Sequence, residues 1–519
     1  MESTFPNRQM SVTSSENFCR KEQRSQCLIR SRGGSTEYVS LREGYRNTMN
    51  VLSLKLHYVP NLIVSIVLYL SNLVIVYEID WASQYKLLCK FRRAYNDFAE
   101  LHDKLVSENY VKKDILPPKK LIGNKCEAFV EKRRLSLEIY LNEVYNYLKK
   151  AMPRELAVFL HMHIYDIFFL LQSMALEFFT EGNNLLQKSK TYKFNLIQLY
   201  AISERLKQPC PPIEVVDRKY DFSHVLDFNS HLTGLIIEGS SEPYRTSNIY
   251  SSALSIELSS FKNIEELTIN QYPVDKIYNM GNLRDTVKYL KVNNTKLRNI
   301  VELAMCEEVH KNIENASDSH VWFKVTHLDL SDNRIEMIDE AIKLLPQIEC
   351  LTLNNNLLSE ISNVTLLPRL SQLYLASNNF STLPDDLHTK LGYIMYIDLS
   401  QNKLTSLSSF SKLYSLEGLD VSCNRIEKIE EVKNIGHLPC LENLRLTGNP
   451  VSTIVDYRVK VLEPFGKRAA DICLDNEKPN QKELDTVSVH QALRIAREGK
   501  SPTFTASDAP LFSAEIPNI

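Results

Sequence analysis

The sequence has ten cysteines, spread from Cys19 to Cys473, and none forms a CxxC pair or a close His/Cys group. That spacing excludes a structural zinc module and offers no disulfide framework, so a reducing, cytoplasmic compartment is expected. Cys350, Cys423 and Cys440 fall inside a repeat pattern, where they read as small buried hydrophobes. An excess of charge of one sign is also missing, since 61 basic residues against 63 acidic ones leave a net charge of −2. Nucleic-acid binding driven by bulk positive charge is thereby excluded, and recognition of phosphate has to come from a local cluster. Ser, His and Asp are plentiful, yet no nucleophile elbow, phosphate loop or metal-ligand spacing occurs. No catalytic residue, metal or cofactor is assigned, and the chain is expected not to be an enzyme.

What is present begins with length. A chain of 519 residues predicts about two to four domains, and its 44% hydrophobic and 24% charged content is ordinary for globular proteins. Residues 1–50 are rich in Ser, Thr and Arg without periodicity and read as a disordered tail, too polar for a signal peptide. One uncharged apolar run follows at 58–77. Three readings stay open for it: a buried strand, an insertion in place of a usual strand, or a membrane segment. Pro60, Asn61, Ser65, Ser71 and Asn72 dilute it, and it is rich in β-branched residues.

Three spaced words come next: YNDFAELHDKL (95–105), LPPKK (116–120) and VEKRRLSLEIYL (130–141). Phe98, Leu101 and Leu105 recur at helical spacing, which predicts a helix from Asn96. The two prolines of LPPKK stiffen an extended loop. A second helix places Val130, Leu137, Leu141, Val144 and Leu148 on one stripe, with Arg133 at its border. Lys119 and Arg133 are thus expected to converge on one cleft. Such a pair suits a ligand with fixed negative charge, since Arg offers a planar fork matched to phosphate or vicinal hydroxyls.

These words resemble the phosphoinositide pocket of the phox-homology (PX) family. The resemblance implies that Lys119 contacts a headgroup phosphate, Arg133 the inositol ring, and that Tyr95 packs under the ring. The family's usual word is R-Y-S-D-F, whose arginine grips the 3-phosphate; here Ala94 precedes Tyr95. Arg93 is the candidate substitute, provided the strand ends or bulges there, because a one-residue step along a strand reverses side-chain direction.

The second half is an internal repeat. LxLxxN recurs as LDLSDN (328–333), LTLNNN (351–356), LYLASN (373–378), IDLSQN (397–402), LDVSCN (419–424) and LRLTGN (444–449). Its asparagines lie 23, 22, 24, 22 and 25 residues apart, the period of leucine-rich repeats. Degenerate units at Leu235/Ile237, Leu267/Ile269 and Leu290/Val292 bring the expected total to about nine turns, with 451–475 as the terminal cap. Asp329, Thr352, Tyr374, Asp398, Asp420 and Arg445 occupy outward strand positions, with Tyr396 nearby. Three acids and two tyrosines in register suit a basic protein segment.

The pair of halves, with words such as HTKLG (388–392), KLYSL (412–416) and KELDTV (482–487), resembles the nischarin family. That resemblance implies phosphatidylinositol 3-phosphate membranes as a partner and peripheral residence on early or recycling endosomes. Through the repeats it implies an integrin tail, Rac or p21-activated kinase. The expected fold is multidomain α+β: a PX domain with a small antiparallel sheet and helices, then an α/β leucine-rich-repeat solenoid. Expected boundaries are 1–50 tail, 51–170 PX-like domain, 171–218 helical connector and linker, 219–475 solenoid with cap, and 476–519 polar tail. The expected function is a phosphoinositide-binding, endosome-recruited scaffold. The alternative is a cytosolic regulatory subunit of a phosphatase or kinase whose PX fold binds no lipid.

Overall fold

The computed structural model describes residues 63–71, 74–82, 88–119, 127–149, 152–208, 217–308 and 311–497. Three antiparallel strands open it: Ile63–Ser71, Val74–Ala82 and Leu88–Ala94. The first two pair from Ile63 opposite Ala82 to Ser71 opposite Val74, so most of the apolar run at 58–77 is strand backbone. Residues 58–62 lie outside the described part. Among the described residues no helix is long and apolar enough to cross a membrane.

The third strand ends at Ala94, and the helix Tyr95–Ser107 starts at once. Asp97 Oδ2 accepts the Ala94 N–H at 2.7 Å, which satisfies a donor at the helix start. Phe98, Leu101, His102 and Leu105 form its buried stripe. The helix Glu127–Leu148 buries Val130, Leu137, Leu141, Val144 and Leu148 as the periodicity predicts, together with Tyr140 and Tyr145. Two short helices, Arg154–Phe159 and Met162–Tyr165, lead into the long helix Ile167–Lys188, whose first amides are capped by Asp166.

A parallel sheet of eleven strands follows in chain order. It contains the nine units expected from the sequence and extends beyond them at both ends, with Thr191–Phe194 ahead of the first and Cys473–Leu474 after the last. Thr191–Phe194 lies within the segment expected as a connector, so the sheet begins well before residue 219. The helix Gln481–Arg497 packs on the cap within what reads as a polar tail.

The repeat is closed by its asparagines. Asn378 is representative: its Oδ1 accepts from Leu358 N–H at 3.0 Å, and its Nδ2 donates to the Leu353 and Leu375 carbonyls at 2.9 and 3.0 Å. Asn356, Asn402, Asn424 and Asn449 repeat the pattern. Each is buried and fully bonded, as a polar group inside must be. The residue before each asparagine is left-handed: Asp332, Asn355, Ser377, Gln401, Cys423 and Gly448 have φ between 54° and 74°. Five of these six are not glycine, so the ladder's hydrogen bonds offset a turn of roughly 1–2 kcal/mol cost each. This also corrects the cysteines: Cys423 and Cys440 are exposed and Cys350 is half-buried. Cys423 sits at the left-handed turn and Cys350 opens a strand, and neither position faces the core.

Candidate functional site

Tyr95 stands at the strand-to-helix junction, and its hydroxyl donates to the Pro117 carbonyl at 2.5 Å. That bond pins the proline-stiffened loop beside the helix, and Lys119 Nζ completes the contact by donating to Asn96 Oδ1 at 3.3 Å. Arg133 approaches from the second helix, one turn before the buried Leu137. Its guanidinium lies 4.6 Å from the Tyr95 ring centroid and 4.4 Å from that of Phe129. Both rings lie within cation–π range and hold the guanidinium in place. Arg133 is only 8% exposed, and its Nη2 has no hydrogen-bond partner among the described residues. A buried guanidinium nitrogen in that condition strongly favours an incoming acceptor. Burial pushes the Tyr95 phenol up, against the pull of Arg133. The neighbouring Arg134 is bound to Glu131 at 2.8 Å and Glu138 at 2.7 Å, and acts as a brace for the helix.

Tyr95, Lys119 and Arg133 are therefore brought together. Arg93 is not. Its Nη2 donates to the Phe159 carbonyl at 2.9 Å, its Nη1 donates to the Arg92 carbonyl at 3.2 Å, and its guanidinium lies over Phe91 and Phe159. It lines a different cleft of about 400 Å³ with Asp97, Lys104, Arg154 and Glu155. Burial lowers its pKa while Asp97 pulls it back up. The strand ends after Arg93 without turning that side chain toward Tyr95. Asn96, Pro117 and Phe129 are the residues sequence reasoning missed. An aromatic one turn ahead of Arg133 was the available signal for Phe129.

On the repeat face, the outward positions fall as alternation predicts. Asp329, Tyr374, Asp398, Asp420 and Arg445 occupy one column of registered strands, and Tyr396 opens the strand that Asp398 ends. The Tyr374 and Tyr396 rings are 5.2 Å apart and tilted by 37°. Tyr396 lies over Gly418, where an added Cβ would come within 2.5 Å of the ring. Arg445 Nη1 reaches Asp420 Oδ2 at 3.1 Å and its Nε donates to Asn476 Oδ1 at 2.9 Å. Asp329 sits apart from this group, bound to Lys291 at 2.9 Å with the strand Cys350–Thr352 between. Lys291 and Gly418 were not foreseen, because their roles depend on the neighbouring strand.

Comparison with known proteins agrees with this division. Residues 86–163 match the PX domain family and 368–426 the leucine rich repeat family, so the chain carries a PX domain followed by leucine-rich repeats. It is similar to an uncharacterized leucine-rich repeat-containing protein of Schizosaccharomyces pombe, 31% identical over 32% of this chain and 27% of that protein. It is also similar to a protein phosphatase 1 regulatory inhibitor subunit homolog of Arabidopsis thaliana, 35% identical over 22% of this chain and 36% of that one. The chain thus spans 27% and 36% of the length of these relatives. Among solved structures, a leucine-rich-repeat protein of Leptospira interrogans aligns with a TM-score of 0.36 at 19% identity, covering 51% of this chain and 61% of that one.

Proposed function

We propose that the chain is a non-enzymatic scaffold, recruited to membranes by a phosphoinositide headgroup and holding a protein partner on the repeat face. The observation that carries the reading is Arg133: a buried guanidinium within cation–π range of two rings, with a nitrogen that has no partner among the described residues, while Lys119 is held at the neighbouring Asn96. A phosphorylated inositol would supply an acceptor for Arg133 Nη2 and a second, charged partner for Lys119, which now donates to Asn96. The nischarin-like resemblance extends the reading to endosomal membranes and to an integrin tail, Rac or p21-activated kinase as partners. Ala94 offers no cation to a 3-phosphate, and Arg93 is engaged at Phe159, so selectivity among phosphoinositides rests on Lys119 and Arg133.

The test is co-sedimentation of the full chain with phosphatidylcholine vesicles carrying each singly phosphorylated phosphoinositide. Arg133→Ala and Lys119→Ala are each expected to weaken binding about ten- to a hundredfold, the worth of one or two charge-assisted hydrogen bonds. A folded chain that binds no phosphoinositide overturns the lipid half of the proposal. The likeness to the phosphatase inhibitor subunit homolog favours a second reading for that outcome, a regulatory subunit working through its repeats alone.

A further inference from the structure

Three aspartates, Asp329, Asp398 and Asp420, occupy the same register position in three strands of the repeat face. Each turns Oδ1 back to accept the N–H of the serine two residues on, at 2.9, 2.8 and 3.0 Å, which leaves the other oxygen for a second partner. In two of them that oxygen holds a cation from the adjacent strand: Lys291 on Asp329 at 2.9 Å and Arg445 on Asp420 at 3.1 Å. Asp398 is the exception. Its registered neighbours are Tyr374 on one side and Asp420 on the other, and no described cation touches it.

We propose, building on the scaffold reading, that Asp398 with Tyr374 and Tyr396 is the receptor for an arginine side chain of a partner protein. The electrostatics agree. Burial and the nearby Asp420 push the Asp398 carboxyl above its ordinary range, although Ser400 and Arg445 oppose this. The cation-bearing Asp329 lies below its ordinary range: burial raises it, and the bonds from Ser331 and Lys291 outweigh that. A carboxylate beside a second carboxylate and two phenols gains most from an added positive charge.

Arginine fits better than lysine. Its planar guanidinium takes a carboxylate edge-on and lies flat on a phenol ring, whereas an ammonium is a strongly hydrated point charge. A guanidinium–carboxylate pair already stands one strand further on. Arg445 binds Asp420 in a cleft of about 100 Å³ that Tyr396 also lines. The partner's arginine would repeat that arrangement on Asp398.

The experiment presents the full chain with a soluble peptide library whose central residue is fixed as arginine, lysine or citrulline and whose flanks are randomised. Wild-type protein is expected to retain the arginine set at least about tenfold over the citrulline set, with lysine between them. Asp398→Asn keeps an oxygen for the Ser400 amide, so it is expected to fold and to lose the arginine preference. Gly418→Ala, which pushes on the Tyr396 ring, is expected to reduce that preference. Equal retention of the arginine and citrulline sets, or an unchanged preference in Asp398→Asn, overturns the proposal and leaves the scaffold reading in place. Retention of no set, with vesicle binding intact, overturns both the arginine receptor and the repeat face as a protein-binding surface.

Discussion

Arg133 sits where two requirements meet. Helical spacing pulls it toward the buried stripe, and its charge demands compensation. The rings of Tyr95 and Phe129 supply part of that compensation. On the proposed function, one residue in the same neighbourhood sets which headgroup would fit. Ala94 occupies the position where the PX resemblance places an arginine, and its backbone is already set by Asp97. Ala94→Arg therefore adds a cation without disturbing the helix start. It is expected to raise affinity for phosphatidylinositol 3-phosphate vesicles about tenfold relative to 4-phosphate vesicles, read by co-sedimentation. Equal gains for both lipids would show charge without selectivity. The direction of Arg93, by contrast, was not legible in the sequence. It is set by the Phe159 carbonyl, which lies 66 residues further along the chain, and no local spacing reports such a contact.

At the level of single elements, the asparagine turns carry the repeat. Asn378→Ala strips the Leu358 amide and the Leu353 and Leu375 carbonyls of their shared partner. A loss of about 3 kcal/mol is expected in urea unfolding, with the denaturant slope unchanged. These elements were legible because the strand alternation and the asparagine offset recur together. Thr191–Phe194 pairs in the same sheet but was not read, since a four-residue strand between two helices carries neither signal. A second element responds to acid. His161 precedes the short helix Met162–Tyr165 with φ 58° and stacks on Phe91 at 4.6 Å. Burial, then Arg93, His163 and Arg245, push its pKa from 6.5 down to about 4. The folded state prefers neutral His161, so its contribution is complete above pH 6.5 and is lost as pH falls toward about 4. Melting temperature is expected to drop across that window. His161→Asn, which tolerates the left-handed backbone, is expected to flatten the drop in thermal scans.

For the whole molecule, the long helix Ile167–Lys188 joins the PX half to the solenoid. Phe178 stacks on Phe228 at 4.0 Å with the planes 7° apart, and it also meets Tyr192 and Phe194 of the first sheet strand. Tyr165 packs edge-on against Tyr244 at 6.0 Å. Phe178→Ala is expected to destabilise the chain by about 3–5 kcal/mol. Faster hydrogen exchange is expected in both the Ser223–His231 helix and the Thr191–Phe194 strand, whereas an effect confined to one of them would contradict the shared core. The asparagine ladder has a further consequence, because its closure runs backwards along the chain. Each asparagine completes the coil before its own, and the last coil is completed by Asp475, which accepts from Leu446 N–H at 2.8 Å and Thr447 N–H at 3.0 Å. On the ribosome, a coil can therefore finish only when the next 22 to 25 residues have emerged. A growing chain always carries one open coil at its most recently made end, and synthesis of the cap is the event that retires it.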